Sequence, residues 1–275
     1  MFSFKQFTIR QERTAMKVCT DACVLGAFAD VAASTVAATR ILDIGTGTGL
    51  LALMAAQRNP RATVDAVEMD EAAFGQATEN VAASPFANRV RVWRGRVQAF
   101  VPWFPSPPAP LPKGEGSKPP EAFHPAGPPS PIGRGAGGEG NHGTYHRILT
   151  NPPFYTNHLR SPDSAVNRAL HTDDLPFPEL IGAVHRLLRP DGQWWVLLPP
   201  YETGLLTDLA GRSGLFPFRQ LHLRHNDRKP VFRTITGLSY TPQPVATDTL
   251  AIYESGSNTY TAGFRALLRD FYLIF

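Results

Sequence analysis

The chain has 275 residues, of which 43% are hydrophobic and 18% are charged. This composition supports a sizeable core and excludes a chain that is disordered throughout. The formal net charge of +4 favours binding to an anionic partner only weakly. The sequence contains neither a signal-peptide pattern nor an apolar run of the roughly 18 residues that a membrane helix needs.

The chain contains only two cysteines, Cys19 and Cys23, and no histidine cluster accompanies them. A structural zinc site usually needs four ligands, so we predict no bound metal. Low cysteine content is typical of a reducing compartment. We therefore expect a cytoplasmic protein that does not associate with membranes.

Strand and helix patterns alternate along most of the chain. Buried strands have short apolar runs, and helices show apolar residues at helical spacing. The predicted elements are strand 40–44, helix 49–57, strand 62–69, helix 71–83, strand 89–93, strand 147–150, helix 178–188, strand 194–198, helix 201–213 and a closing pair of strands, 220–224 and 234–240. The alternation predicts a Rossmann-like α/β fold. Its doubly wound, mostly parallel sheet has seven strands and an antiparallel C-terminal hairpin.

Three further segments complete a predicted single domain spanning 1–275. Residues 102–141 are rich in proline and glycine, and a stretch of that kind cannot bury enough apolar area to offset its ordering entropy. We predict that this segment is a disordered insertion. Residues 1–38 precede the first of these strands, and residues 249–275 are predicted to form a helical tail.

A glycine-rich turn follows the first of the alternating strands and reads Asp43-Ile44-Gly45-Thr46-Gly47-Thr48-Gly49. Its spacing differs from the G-x-G-x-x-G of dinucleotide-binding folds, and no Gly-Lys-Ser/Thr follows to make a phosphate loop. The D-x-G-x-G-x-G form resembles the first motif of S-adenosylmethionine-dependent methyltransferases. The resemblance implies that the three glycines form the floor beneath S-adenosylmethionine and that Asp43 orients its amino group.

The second strand of this series ends at Glu68, a position from which a carboxylate can accept hydrogen bonds from ribose hydroxyls. Asp70, two residues later, can instead cap the next helix. Glu68 would repel the 2′-phosphate of NADP, so the pair of motifs argues against that cofactor.

The third strand departs from the methyltransferase pattern. Many adenine-specific relatives have an acidic residue just after this strand, where it accepts a bond from the cofactor's adenine amino group. This chain has Arg96 there, and arginine cannot accept a hydrogen bond. Either Gln98 or the backbone takes over the role, or cofactor binding is weaker.

The fourth strand runs into Asn151-Pro152-Pro153-Phe154, which we predict to be the catalytic loop. An exocyclic amino nitrogen delocalises its lone pair into a π system. The Asn151 side-chain oxygen and the Pro152 carbonyl can each accept one of its N–H bonds and stabilise the developing positive charge. Consecutive prolines restrict the loop, and Phe154 offers a face on which a planar target can stack.

The N-terminal sequence narrows the substrate. Phe4-Lys5-Gln6-Phe7 and the run from Ala15 to Ala27 resemble the bacterial family that methylates N6 of adenine-37 in the anticodon loop of a valine tRNA. So do Lys229-Pro230 and the C-terminal Arg269-Asp270-Phe271-Tyr272-Leu273. The resemblance implies that residues 1–38 form a lid over the cofactor and substrate. It also implies that Lys17, Thr20 and Asp21 contact the cofactor. Cys19 stands where that family usually has glycine.

A tRNA substrate requires cations near the catalytic loop. Basic residues on one face would contact phosphates and make binding depend on salt. The candidates are Arg13, Arg168, His171, Arg228, Lys229 and Arg233. A monomer is expected.

Three other functions remain open at this stage. Glutamine methylation in a release factor uses a similar Asn-Pro-Pro-Tyr loop, and guanine-N2 methylation of ribosomal RNA also uses Asn-Pro-Pro-Phe. A catalytically inactive RNA-binding module is the remaining alternative, because Arg96 and the insertion depart from the family pattern.

Overall fold

The computed structural model describes residues 1–31, 39–102, 144–152 and 175–275. Residues Met1–Phe100 and His142–Phe275 form one compact unit, and Val101–Asn141 is a separate unit. Apart from Pro102, the predicted insertion lies outside the described residues, so its disorder stays a prediction. No helix in the described ranges is long and apolar enough to cross a membrane.

The main sheet of the described chain has eight strands, after a short antiparallel pair formed by β1 (Phe2–Ser3) and β2 (Thr8–Ile9). The strands of the main sheet are β3 (Arg40–Ile44), β4 (Thr63–Glu68), β5 (Val90–Arg94), β6 (Tyr145–Thr150), β7 (Leu188–Leu198), β8 (Phe216–Arg224), β9 (Val231–Ser239) and β10 (Ala246–Ala251). Their spatial order is β10-β8-β9-β7-β6-β3-β4-β5. Strands β3 to β7 are mutually parallel, and β9 is antiparallel to both β7 and β8. The carboxyl ends of β3 to β7 therefore share one edge, which we call the carboxyl edge.

Helices cover both faces of this sheet. Successive strand residues point to opposite faces, so Trp194 and Trp195 belong to two different buried clusters. One cluster includes residues of α1 (Thr20–Phe28), α2 (Leu50–Arg58), α3 (Glu71–Ala82) and α6 (Ala262–Leu268). The other includes residues of α4 (Phe177–Leu187) and α5 (Pro200–Arg212). The predicted Rossmann-like, doubly wound fold is confirmed.

The predicted strand count was one too low, because β10 was missed. β10 pairs in parallel with β8 at the sheet edge, where the predicted helical tail was to begin at residue 249. Thr247, Asp248 and Thr249 are exposed, so this strand lacks the apolar alternation by which half-buried strands are recognised. Helix α6 within the predicted tail covers only Ala262–Leu268.

Residues 189–192, between the predicted helix 178–188 and the predicted strand 194–198, form a bulge inside β7. Tyr145 of β6 pairs with Leu188, but Arg147 already pairs with Gln193. The intervening residues loop out, and Gly192 permits this because a Cβ there would lie 2.9 Å from the Arg189 carbonyl oxygen. A proline and a glycine can thus occur within a strand when they form a bulge.

Candidate cofactor and substrate site

Three predicted motifs meet at the carboxyl edge. Ile44 at the end of β3 pairs with Val67 of β4 on one side and with Thr150 of β6 on the other. Glu68, the glycine-rich turn and Asn151 therefore leave three adjacent strands, which are about 4.8 Å apart. The chain order reverses at β3, and ligands of open α/β sheets bind in the crevice at such a switch point.

The glycine-rich turn has a backbone conformation that favours glycine. Gly45, Gly47 and Gly49 have φ angles of 68°, 58° and 85°. A Cβ built at Gly45 or Gly47 would meet nothing within 4 Å, so both positions border open space. The N–H groups of Gly45 and Thr46 donate to the Val67 carbonyl at 2.9 and 3.1 Å, which fixes the turn to β4. The turn is an open cradle lined by backbone.

Asp43 is fully buried beneath this turn. Its Oδ2 accepts hydrogen bonds from the Thr46 hydroxyl at 2.5 Å and the Ala52 N–H at 3.1 Å. Its Oδ1 has no hydrogen-bond partner among the described residues. Burial raises the pKa of Asp43 to about 7, against the opposing effect of those two hydrogen bonds. A ligand ammonium group would supply the missing partner and favour the charged carboxylate.

Glu68 joins the end of β4 to the turn. Its carboxylate accepts hydrogen bonds from the N–H groups of Gly47, at 2.8 Å, and Asp70, at 2.9 Å. Burial raises the pKa of Glu68, and these backbone hydrogen bonds act in the opposite direction. Each carboxylate oxygen can accept a second hydrogen bond, which is the capacity that ribose hydroxyls require. Asp70 caps α3 through the Ala73 N–H at 2.9 Å, as the sequence suggested.

Beyond the end of β5, an acidic residue from another element binds Gln98, two residues after Arg96. Gln98 lies in a short 3-10 turn, Val97–Ala99, and its Nε2 donates to Glu179 Oε2 at 2.8 Å. Glu179 is exposed in the first turn of α4. No sequence pattern indicated Glu179, because it lies 81 residues from Gln98 along the chain. Met69, next to Glu68, is 39% exposed and offers an apolar surface at the same edge.

The structure describes the first two residues of the predicted catalytic loop. Asn151 is partly buried and Pro152 is buried, directly after Thr150. The indole N–H of the buried Trp194 donates to the Thr150 hydroxyl at 3.1 Å and fixes the end of β6. Pro153 and Phe154 lie outside the described residues, so their roles stay predictions.

Two of the three predicted cofactor contacts in the N-terminal segment, Lys17 and Asp21, bind protein groups. Lys17 Nζ donates to the Gln11 carbonyl at 2.6 Å. Thr20 is the first residue of α1, and Asp21 lies in its first turn. Asp21 Oδ2 accepts a hydrogen bond from Arg233 Nε at 3.0 Å, within an ion pair whose side chains are largely shielded from solvent. A predicted cofactor contact and a predicted RNA contact thus bind each other.

Two residues that sequence reasoning missed anchor the N-terminal segment to α3. Asn80 Nδ2 donates to the carbonyls of Arg10 and Thr48, both at 2.8 Å, and Asn80 Oδ1 accepts from the Arg10 N–H at 2.9 Å. Gln76 accepts from the Arg13 N–H at 3.3 Å. Asn80 thereby ties this segment to the glycine-rich turn, because Thr48 belongs to that turn. One signal in the sequence could have revealed them: Gln76 and Asn80 are polar residues at helical spacing, and they lie together on the buried face of α3.

The other predicted RNA contacts fall into three groups. Arg228 and Lys229 are exposed between β8 and β9. Arg13 forms an ion pair with Glu79 on the surface of α3. Arg168 and His171 lie outside the described residues. Of the candidates that the structure describes, only the first group presents adjacent exposed cations.

Cys19 and Cys23 lie at the start of α1 as free thiols. Burial raises the pKa of both thiols, to about 12 for Cys23. A thiol needs its thiolate form to react or to ligate a metal, so both side chains serve as packing groups.

Comparisons with known proteins agree with this geometry. Residues 28–100 match the methyltransferase small domain family. The fold is similar to that of a predicted O-methyltransferase from Agrobacterium tumefaciens, with a TM-score of 0.58, 16% identity, and coverage of 91% of this chain and 96% of that one. The fold and the glycine-rich turn define a Rossmann-like methyltransferase domain.

Relatives of known name identify the family. Proteins named tRNA1(Val) (adenine(37)-N6)-methyltransferase from Dyadobacter fermentans and Pedobacter heparinus are 40% and 36% identical to this chain. Each match covers 100% of this chain and 98% of the relative. A third relative of the same name, from Parabacteroides distasonis, is 35% identical over 99% of this chain and 97% of its own length. The chain belongs to the tRNA1(Val) (adenine(37)-N6)-methyltransferase family, and the resemblance seen in the sequence is confirmed.

Proposed function

We propose that this protein transfers a methyl group from S-adenosylmethionine to the exocyclic N6 of an adenine in RNA. The proposed target is adenine-37 in the anticodon loop of a valine tRNA. The observation that carries the proposal is the position of Asn151 and Pro152, one strand away from the glycine-rich turn at the switch point of the sheet. The names of relatives that match over 98% of their length support the choice of base and RNA.

Asn151 and Pro152 would act on the amino group of the target adenine. The Asn151 amide oxygen and the Pro152 carbonyl each accept one N–H bond, which orients the nitrogen and makes its lone pair available. Both dipoles also stabilise the positive charge that develops on nitrogen as the methyl group arrives. No strong general base is needed, because the proton leaves after the transfer.

The residues around the glycine-rich turn fit S-adenosylmethionine, which supplies an electrophilic methyl group when bound. Asp43 Oδ1 would accept from its ammonium group, which gives that buried oxygen a partner. Glu68 would hold the ribose hydroxyls, and the backbone at Gly45 and Gly47 leaves room for close approach. We add Glu179 as an acceptor for the adenine amino group, in place of the missing acid at Arg96.

The names of the relatives do not support the two alternative substrates, glutamine in a release factor and guanine in ribosomal RNA. This chain aligns with 97–98% of the length of its first named relatives, and all of these are tRNA adenine methyltransferases by name. Asp43, Glu68 and Asn151 are all present at the carboxyl edge, which argues against an inactive module. A tRNA substrate supports a cytoplasmic location.

The proposal is tested with purified protein, labelled S-adenosylmethionine and bulk tRNA from cells that lack the enzyme. The label should appear in N6-methyladenosine after digestion to nucleosides. Label in guanosine or in protein would overturn the choice of substrate.

A further inference from the structure

The hairpin between β8 and β9 extends beyond the carboxyl edge. Leu198, the last residue of β7, pairs with Thr234 of β9, so the earlier residues of β9 continue past the end of β7. Thr150 pairs with Val196, so Asn151 leaves β6 at this same edge. The segment 225–232, which we call the hairpin tip, thus projects from the edge that bears the catalytic loop.

Two aromatic rings stack on each other at the base of the hairpin tip. The centroids of His225 and Phe232 are 4.2 Å apart, with 10° between their planes. Phe232 is partly buried and packs against the core, whereas His225 is exposed. Phe232 therefore supports one face of the imidazole, and the other face can accept a further ring.

Hydrogen bonds make this arrangement rigid. The Tyr253 N–H donates to the His225 carbonyl at 2.9 Å. Asn226 Oδ1 accepts hydrogen bonds from the N–H groups of Arg228 and Lys229, both at 3.1 Å. A preorganised surface of this kind loses little conformational freedom when a ligand binds.

The charges around the rings suit a polyanion. Arg228 and Lys229 are adjacent and exposed, and the one acidic residue of the tip, Asp227, accepts a hydrogen bond from the Ser255 hydroxyl. A supported ring next to exposed cations is the combination that binds single-stranded nucleic acid, where bases stack on rings and phosphates meet cations.

We propose that His225, supported by Phe232, is a stacking platform for an unpaired base of the RNA loop, while Arg228 and Lys229 contact neighbouring phosphates. The inference rests on the proposed function, since it names the part of the protein that receives the loop. Stacking of one base would hold the loop open at the carboxyl edge, where the target adenine must reach Asn151.

The test measures binding of a dye-labelled stem–loop RNA with an unpaired, adenine-containing loop by fluorescence anisotropy. His225→Ala and His225→Leu should each raise the Kd about tenfold, and His225→Tyr should restore binding because it keeps a ring. The slope of log Kd against log salt should stay unchanged in all three variants, because stacking displaces no counterion. His222→Ala is the matched control, since that imidazole is bonded to the Thr234 hydroxyl.

Thermal unfolding of each variant verifies that it is folded. Wild-type affinity in His225→Ala or His225→Leu, with methylation of RNA intact, would overturn the platform and leave the proposed function standing. A wild-type protein that neither binds nor methylates the stem–loop or tRNA would overturn both.

Discussion

The glycine-rich turn after β3 and the hairpin tip between β8 and β9 lie at the same edge of one sheet but differ in construction. The turn is formed by backbone groups over a fully buried carboxylate, Asp43, with Glu68 only 8% exposed beside it. The hairpin tip presents Arg228 and Lys229 to solvent. Interactions of buried groups are weakly screened by salt, whereas those of exposed cations are strongly screened. Salt, pH and substitutions should therefore affect the two regions independently, except where they are connected.

The largest effect is expected between the two regions, at Asn151. Asn151→Ala removes one of the two acceptors for the target amino group, and removal of such a donor or acceptor costs about 10²–10³-fold in kcat. Cofactor affinity, measured by calorimetry, should remain unchanged. Asn88→Ala, at an exposed asparagine between α3 and β5, is the control. Turnover at the wild-type rate in Asn151→Ala would remove the proposed role of that side chain.

The buried region should respond to pH. Binding of an ammonium group favours ionised Asp43, whose pKa is about 7 without ligand. Affinity for S-adenosylmethionine should therefore rise with pH up to about 7, with a limiting slope of about tenfold per pH unit below that value. Asp43→Asn should bind more weakly and show a flat profile over this range. A flat profile for the wild-type protein would show that Asp43 does not bind the cofactor's amino group.

The exposed region should respond to salt. Replacing both Arg228 and Lys229 with alanine should weaken RNA binding and lower the salt slope by about 0.7 for each phosphate that the protein no longer neutralises. Cofactor affinity should not change, because these side chains lie on the hairpin tip. Arg61→Ala serves as the control. Arg61 is an exposed arginine just before the amino end of β4, on the side of the sheet opposite the carboxyl edge. An unaltered slope in the double variant would exclude phosphate binding at the hairpin tip.

The smallest expected effect lies at the Asp21–Arg233 ion pair, which connects α1 to β9. If the pair positions both elements, Asp21→Asn and Arg233→Gln should each weaken cofactor and RNA binding together. The expected change is about fivefold, equivalent to roughly 1 kcal/mol for a partly shielded pair. The exchange Asp21→Arg with Arg233→Asp should recover part of the affinity.

The same two variants distinguish positioning from direct contact. If Asp21 touches only the cofactor and Arg233 only the RNA, each substitution will weaken the binding of one ligand. That outcome would support the roles that the sequence suggests, a cofactor contact for Asp21 and an RNA contact for Arg233. It would contradict a coupling of the two binding sites through the ion pair.

The sequence correctly predicted features that depend on residues close together along the chain. β3 was predicted with its observed bounds, since an apolar run ends at a glycine-rich turn, and the start of α3 was predicted from its cap. The positions of Asp43 and Glu68 near the ends of their strands followed from the same alternation. Both depend on hydrogen bonds and hydrophobic periodicity within a short stretch of chain.

The remaining features depend on interactions between distant parts of the chain. Asp21 and Arg233 are 212 residues apart, and no local pattern indicates that they pair. Glu179 lies near the carboxyl end of β5 only because α4 packs beside the turn that contains Gln98. β10 forms because β8 has an open edge, although its own residues are mostly exposed. Such features become visible only after the sheet has been assembled.

The central claim is that Asn151 and Pro152 hold N6 of adenine-37 so that it accepts the methyl group of S-adenosylmethionine. Its most direct test is mass spectrometry of nucleosides from two unmodified valine-tRNA transcripts, one with adenine and one with guanine at that position, after incubation with protein and S-adenosylmethionine. We predict N6-methyladenosine from the first transcript and no methylated nucleoside from the second. Methylated guanosine, or equal methylation of both transcripts, would contradict the claim.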